Sequence, residues 1–534
     1  MEQTVNGSEG VSTARAPLNV ARLKAISAPR ATWARSLFNT GVAVALAVLL
    51  ACIALSRTLD HDEHQFVAGA ALLARGGLMP YRDFAFFHTP YLLYIDATLF
   101  QFSPYLLLSA RLFCAACTLA AVLCIYRIAC ELWRDSSSRV PLAALVLLIT
   151  NPLFLATVGR ARNHDPAVLM LFLAFLAARK PLAGKQSLLH ALLAGVCAGL
   201  AAGIRITFVP ALLAIVVSVF IFSQCDRRSR ITACLAAVAG IILALAPCAL
   251  IALIAPRQFW FGNFVYPFLN LRWRGLDGIF AFSTMLSKAR FVIGEMLLKA
   301  PGSLAVVVLF GAALVQFLHS SGRQKPYHNE ILSLSMLVAM LAVGALLPTP
   351  SFQPYFYALI PFMILAALYA AGGSSGDQAG RWSRWFGWSA IVLLPFGAYA
   401  YAVIVNATIQ QRWVPIATHR AGVEIAAASG GRPILTLSPI FAVEGNAAVY
   451  PAVATGPFAF RVAPMVDEMT ESLLQVMDEE DLEKYLSTNP PGLVLLGGES
   501  GLDESFLAYA LRHGTPIEEL SQHGIIDHKG RTSR

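Results

Sequence analysis

The ionisable residues of this chain are few, and they cluster. Asp60, His61, Asp62, Glu63, His64, Arg82, Asp83 and His88 fall within Asp60–Tyr94 (DHDEHQFVAGAALLARGGLMPYRDFAFFHTPYLLY), directly after the first long apolar run. Carboxylates beside a bilayer are costly unless hydrated, paired or used. The stretch is therefore the first candidate for chemistry, against the plainer reading of a hydrated loop cap. Arg160, Arg162, His164, Asp165, Arg205, Gln353 and Tyr355 stand at the ends of later apolar runs. Gathered on one face, these residue types suit transfer to a hydroxyl. A carboxylate takes its proton, arginines hold a departing phosphate, and a greasy groove receives a lipid carrier. For sugar transfer with inversion one carboxylate suffices, because a phosphate held by cations leaves without a protonated acid. A glycoside hydrolase instead uses two carboxyl groups about the bond it breaks. By ligand type, His61, His64 and His164 with Asp62 and Asp165 also suit a divalent metal, Zn²⁺ or Mn²⁺. No spacing such as HExxH groups them, and His61 and His64 share a face only if their segment is helical.

Such a constellation needs elements to carry it. Of 534 residues, 57% are hydrophobic and 13% charged, against roughly 25% charged in soluble domains. The chain therefore reads as an integral membrane protein. Its net charge of +9 conceals two unlike parts: Lys and Arg outnumber Asp and Glu by 31 to 15 up to Asn406, and are outnumbered by 16 to 9 beyond it. The expected organisation is a basic cytoplasmic segment (1–39), a transmembrane part (40–406) with a large first outer loop (56–103), and an acidic extracytoplasmic α/β domain (407–534). The basic residues lie in short loops between apolar runs, which argues against nucleic acid as a partner. All nine cysteines lie in or at the ends of apolar segments. Cys114 and Cys117, despite their CxxC spacing, read as helix-packing residues.

A span needs around 20 mostly apolar residues. Thr40–Leu55 (read as an uncleaved first span), Pro104–Cys130, Val140–Val158, Pro166–Ala178, Ser187–Gly203, Thr207–Ser223, Ile231–Ile254, Gly302–Leu318, Ile331–Leu347, Pro354–Ala371 and Trp385–Val405 qualify. The fold class expected is an all-α polytopic bundle of about 11 helices. Lys and Arg concentrate in alternate short loops, which sets the N-terminus in the cytoplasm and the C-terminus outside. That orientation puts Asp60–Tyr94, Asn163–Asp165, Arg205, the 256–301 loop and the tail on the outer side of a bacterial-type cytoplasmic membrane. Within the first loop, Gln65–Arg75 reads as a helix lying at the membrane interface. In the second large loop, FWFGNFVYPFLNLRWRG reads as a headgroup belt or a lipid-substrate groove. The tail predicts helices over Trp413–Ala428, Met465–Met477, Glu479–Leu486 and Asp503–His513, with strands at Pro433–Ser438 and Leu493–Leu496.

The acidic pair after the first span, Pro80-Tyr81-Arg82-Asp83-Phe84, His88-Thr89-Pro90, Arg160–Asp165, Gly203-Ile204-Arg205-Ile206-Thr207 and Gln353-Pro354-Tyr355 together resemble the C-type membrane glycosyltransferases. Within these, the resemblance is to family 39, with the protein O-mannosyltransferases and the lipid A aminoarabinose transferase, and it covers most of Thr40–Val405. It implies an enzyme that takes a sugar from a polyprenyl-phosphate donor at the outer face and passes it to a lipid, glycan or protein acceptor. Asp62 then corresponds to the first-loop acid, as base or acceptor-orienting group, with Glu63 beside it and Asp165 as second acid. Arg160, Arg162 and Arg205 would hold the carrier phosphate, and Arg82, Asp83, His88, Gln353 and Tyr355 would bind substrate. His88 stands where an acid is often found, which leaves the metal requirement open. The rival class is a transporter or flippase for an envelope lipid or glycan. Transporters place charge near the midplane, whereas here Arg111 is the main mid-span exception. A receptor or scaffold working through the tail is a third reading.

Overall fold

The computed structural model describes residues 19–133, 139–180, 185–223, 226–276, 284–319, 326–499 and 501–520. Cys225 and the basic loop residues Arg134, Arg323 and Lys325 lie outside these. The chain divides into two compact units, Met1–Val48 and Leu49–Arg534.

Every apolar run forms helix. In order the elements are α1 (Asn19–Ser56), α2 (His61–Gly76), α3 (Tyr91–Leu99), α4 (Leu106–Leu132), α5 (Val140–Ile149), α6 (Pro152–Thr157), α7 (His164–Arg179), α8 (Lys185–Ile204) and α9 (Val209–Phe222). There follow α10 (Arg227–Ile254), α11 (Pro256–Trp260), α12 (Tyr266–Leu276), α13 (Met285–Phe291), α14 (Pro301–His319), α15 (His328–Leu346), α16 (Leu359–Gly372) and α17 (Gly376–Ala400). Among the described residues, eight helical stretches are long and apolar enough to cross a membrane, while Val140–Ile149 and Ile206–Phe222 are shorter. The expected span Val140–Val158 is two helices because Asn151 caps α6: its side chain accepts from Leu153 N–H (2.9 Å), with Pro152 at the first helical position. The described cysteines are all free, and Cys114 and Cys117 are buried in α4.

Beyond the bundle, β1 (Ile434–Thr436), β2 (Leu493–Leu496) and β3 (Ile517–Glu519) form a parallel sheet in that order, with Leu435 opposite Val494 and Leu495 opposite Glu518. The first two strands are wholly buried and, apart from Thr436, apolar, as a covered parallel sheet requires. Around them lie α18 (Val414–Ala428), α19 (Pro439–Glu444), α20 (Pro457–Val462), α21 (Glu468–Leu474), α22 (Leu482–Ser487) and α23 (Glu504–His513).

This C-terminal part is bonded into the bundle. Glu444, fully buried, accepts from Leu107 N–H (2.6 Å) in the first turn of α4 and contacts His419 Nδ1 (2.8 Å). A carboxylate there meets the positive end of the helix dipole. Val67, Ala68 and Ala71 of α2 share one core with Leu106, Leu107, Ile440 and Phe441. The helix expected at the membrane interface is therefore covered by protein.

Candidate functional site

α2 begins with a capping box. The Asp60 carboxylate accepts from Asp62 N–H (3.0 Å), and the Glu63 side chain accepts from Asp60 N–H (3.0 Å). The first turn then sends neighbouring acids to different places. Glu63 faces inward, wholly buried. It also accepts from Arg111 Nε (2.8 Å), Arg111 Nη2 (2.7 Å) and Ala161 N–H (2.7 Å). Arg111 donates further to the carbonyls of Ala54 (3.0 Å), Arg57 (2.8 Å) and Thr58 (3.2 Å), satisfying backbone acceptors at and beyond the C-terminal end of α1. Arg111, read from sequence as mid-span, lies in the second turn of α4 and is a clamp, with its charge matched by Glu63.

Asp60 and Asp62 bracket Arg162. The Arg162 Nη2 donates to Asp60 and lies 3.1 Å from Asp62 Oδ2, while Arg160 Nη1 is 3.4 Å from Asp60 Oδ2. Burial alone would raise the Asp60 carboxyl, but the charges and hydrogen bond of Arg162, with Arg160, hold it well below the usual carboxylate range. The Asp62 side chain is 31% exposed and that of Asp60 12%. Asp62 is therefore the acid of this group that meets solvent. Its charge acts on His88, Arg162, Arg205, Tyr266, Arg274 and Tyr355, residues from five separate parts of the chain.

Arg205 is fixed by Asn163 Oδ1 (2.6 Å) and Thr207 Oγ1 (3.0 Å), with its guanidinium 4.7 Å from the Tyr355 ring centre. The preceding Gly203 has a packing cause: a Cβ there would lie 2.2 Å from the Tyr91 ring. His88 is held from the far end of its loop. Tyr81, buried with φ 69°, donates its hydroxyl to the His88 carbonyl, and the imidazole stacks on Phe66 at 5.1 Å. Burial first, and the Arg205 charge next, push that imidazole down to about 4.

Other expected site residues lie elsewhere or are occupied. Arg82 and Asp83 pair with each other (2.7 and 2.8 Å), and Asp83 also accepts from Met79 N–H, closing a local turn rather than joining the Asp62 group. Asp165 is fully buried in the first turn of α7, with the hydroxyls of Thr118 and Tyr357 beside it. Next to it His164 is buried with both ring nitrogens unpartnered. Gln353 is half-buried at the start of the turn that carries Tyr355. His61 is 3.4 Å from Asp62 and lies against the Phe458 ring, whereas buried His64 accepts from Ile440 N–H (3.5 Å). The histidines and acids of the first loop do not assemble as metal ligands. Among the described residues, the acid or histidine group close enough to hold an ion is Glu471, Asp478 and Asp481 in the C-terminal part.

Several members of the group were not singled out from sequence. In the sequence Asp60 does not stand out from the charges beside it. Tyr266, Trp273 and Arg274 come from the aromatic and arginine-rich second loop, whose composition was the signal. Arg461, from α20, stacks on Trp273 (4.7 Å) and donates to Glu499 (2.7 Å), and its charge and that of Arg274 act on each other. Nothing in its sequence surroundings marks it.

The model of glycosyltransferase family 87 matches residues 86–350. Two solved structures of ArnT from Cupriavidus metallidurans share the fold. The apo form has a TM-score of 0.56 at 14% identity, covering 90% of this chain and 95% of that one. The form bound to undecaprenyl phosphate has a TM-score of 0.53 at 14% identity, covering 83% and 90%. No curated protein matches in sequence. The chain thus has the fold of these C-type membrane glycosyltransferase structures, is similar to family 87 over residues 86–350, and has the apolar helices of a multi-pass integral membrane protein. Within that class the matching model is that of family 87, where the residues alone resembled family 39.

Proposed function

We propose that the protein moves a sugar from a polyprenyl-phosphate carrier to a lipid, glycan or protein acceptor, with inversion, at the outer face of the cytoplasmic membrane. The observation that carries this reading is the setting of Asp62: a partly exposed carboxylate at a helix start, surrounded by Arg162, Arg205, Arg274, His88 and Tyr355. The acceptor hydroxyl gives its proton to Asp62 while its oxygen bonds to the anomeric carbon. The bond from that carbon to the phosphate oxygen breaks on the opposite face, and the carrier phosphate leaves with the electron pair. Arg162 and Arg205 receive that negative charge, and no protonated acid is needed. Asp60 orients Arg162 from its other side, and Glu63, with both oxygens occupied, positions the turn rather than taking a proton. The undecaprenyl phosphate bound by ArnT supports a carrier of that kind. The loop charges support an N-in, C-out topology, with the C-terminal α/β part over the site. A transporter or flippase is less favoured, because Arg111 sits near the start of α4 and its charge is fully engaged by Glu63 and backbone carbonyls.

The test is a donor panel. Purified protein in proteoliposomes is given a series of polyprenyl-phosphate sugars with envelope lipid, glycan and protein extracts, and the products are read by mass spectrometry. At least one donor should be consumed with appearance of free polyprenyl phosphate. Consumption of nucleotide sugars alone would overturn the carrier assignment.

A further inference from the structure

A second polar feature lies apart from the Asp62 group. Between α5, α6, α14 and the end of α17 is a cavity of about 570 Å³, within the range of roughly 300–1,000 Å³ usual for ligand sites. Its walls are mainly apolar, including Pro152, Leu155, Leu393 and Phe396, and Phe396 is 68% exposed, so the cavity opens toward the surroundings of the bundle. Arg57 and Lys299 supply its positive groups. Lys299 is already paired with Glu295 (2.6 Å).

Arg57 is different. Its guanidinium donates to the Leu155 carbonyl, its Nε has no partner, and among the described residues no carboxylate pairs with it. The cations Arg160, Arg111 and Arg162 act on it with the same sign, and the Tyr401 phenol acts the other way. Burial first and Arg160 next push Arg57 down to about 10. A cation held under a shelf of apolar side chains, short of a counter-ion and crowded by its own sign, is expensive unless an anion joins it. An anion with an apolar tail would answer both the charge and the cavity.

We infer that this cavity seats an anionic glycerophospholipid, its phosphate on Arg57 and one acyl chain against Leu155, Leu393 and Phe396. The occupant is not the sugar donor. None of Asp62, Arg162, Arg205 or Tyr355 lines the cavity, and a donor must present its anomeric carbon to Asp62. The inference stands without the sugar-transfer reading, since it concerns binding and not turnover. Its consequence is that lipid composition sets the stability of the α1–α2 connection. Arg57 follows α1 directly, and its carbonyl is one of those that Arg111 holds.

The experiment is native mass spectrometry of the full chain in detergent after delipidation, with equal additions of phosphatidylglycerol, phosphatidylcholine and undecaprenyl phosphate. Phosphatidylglycerol should be retained roughly tenfold over phosphatidylcholine, because both offer a phosphate to Arg57 but choline brings a second positive charge to a cavity already holding Arg57 and Lys299. Arg57→Gln should remove that preference. Leu393→Phe, which narrows the cavity without touching the charge, should weaken retention of both glycerophospholipids, and it decides the matter if Arg57→Gln does not fold. Equal retention of the two glycerophospholipids, or an Arg57→Gln profile like that of the parent, overturns the proposal. Displacement of phosphatidylglycerol by undecaprenyl phosphate, lost in Leu393→Phe, would give the cavity to the carrier instead and overturn the assignment of the occupant.

Discussion

The first turns of α2 and α7 contain the same chemistry and put it to opposite uses. Each has a carboxylate beside a histidine, at the start of a helix that follows a polar connection. In α2, Asp62 is partly exposed, touches Arg162 and lies within the field of further cations. In α7, Asp165 is wholly buried beside the hydroxyls of Thr118 and Tyr357, and His164 is buried next to it. Residue type and helix position are equal in the two turns, and environment separates them. A proton acceptor for an incoming hydroxyl must be reachable, and of the two acids only Asp62 meets solvent.

The largest effect expected concerns what holds the α2 turn. Arg111→Ala leaves Glu63 buried without its cation, at a cost of about 3–5 kcal/mol. Thermal unfolding in detergent should show a large loss of folded protein, and an unchanged midpoint would remove the clamp from the account. Next in size is Arg205→Lys. It keeps the charge but loses the planar fork fixed by Asn163 and Thr207 and the stack on Tyr355. Donor KM should rise roughly tenfold to a hundredfold. An unaltered KM would place the carrier phosphate elsewhere.

A smaller effect is the pH response of the buried histidines. Burial lowers His88 to about 4 and His64 to about 3, both beneath the ordinary value near 6.5. As pH falls from about 6.5 toward 4, the unfolded chain takes up protons that the folded protein refuses, so stability is lost across that window. Asp60 works at a different pH. Its depressed carboxyl contributes above about 4 and is lost only as pH falls through its lower folded value. The thermal midpoint should therefore drop between pH 6.5 and 4.5, and His88→Gln should flatten part of the drop. A parallel slope in that variant would contradict the assignment.

Much of this was legible in the sequence, and the misses have physical causes. In a chain so poor in charge, acids and arginines at the ends of apolar runs stand out, and Asp62, Arg160, Arg162 and Arg205 do converge. Sequence could not separate Asp62 from Glu63. Adjacent helical positions point roughly 100° apart, and which one faces inward depends on Arg111, 48 residues away. Arg82 and Asp83 looked available because a pair between neighbours leaves no mark on composition. β3 escaped because its Ile517-Glu518-Glu519 lacks the apolar run of the other two strands. Arg461 reaches the second loop through tertiary packing alone.

The most direct measurement is the paired substitution of the two turns. Asp62→Asn and Asp165→Asn are compared for sugar transfer from the active donor, at matched amounts of folded protein. The account predicts that Asp62→Asn loses about 10²–10⁴ in rate, the range of a general base, while Asp165→Asn stays within about tenfold of the parent. An Asp62→Asn variant that turns over like the parent would contradict it.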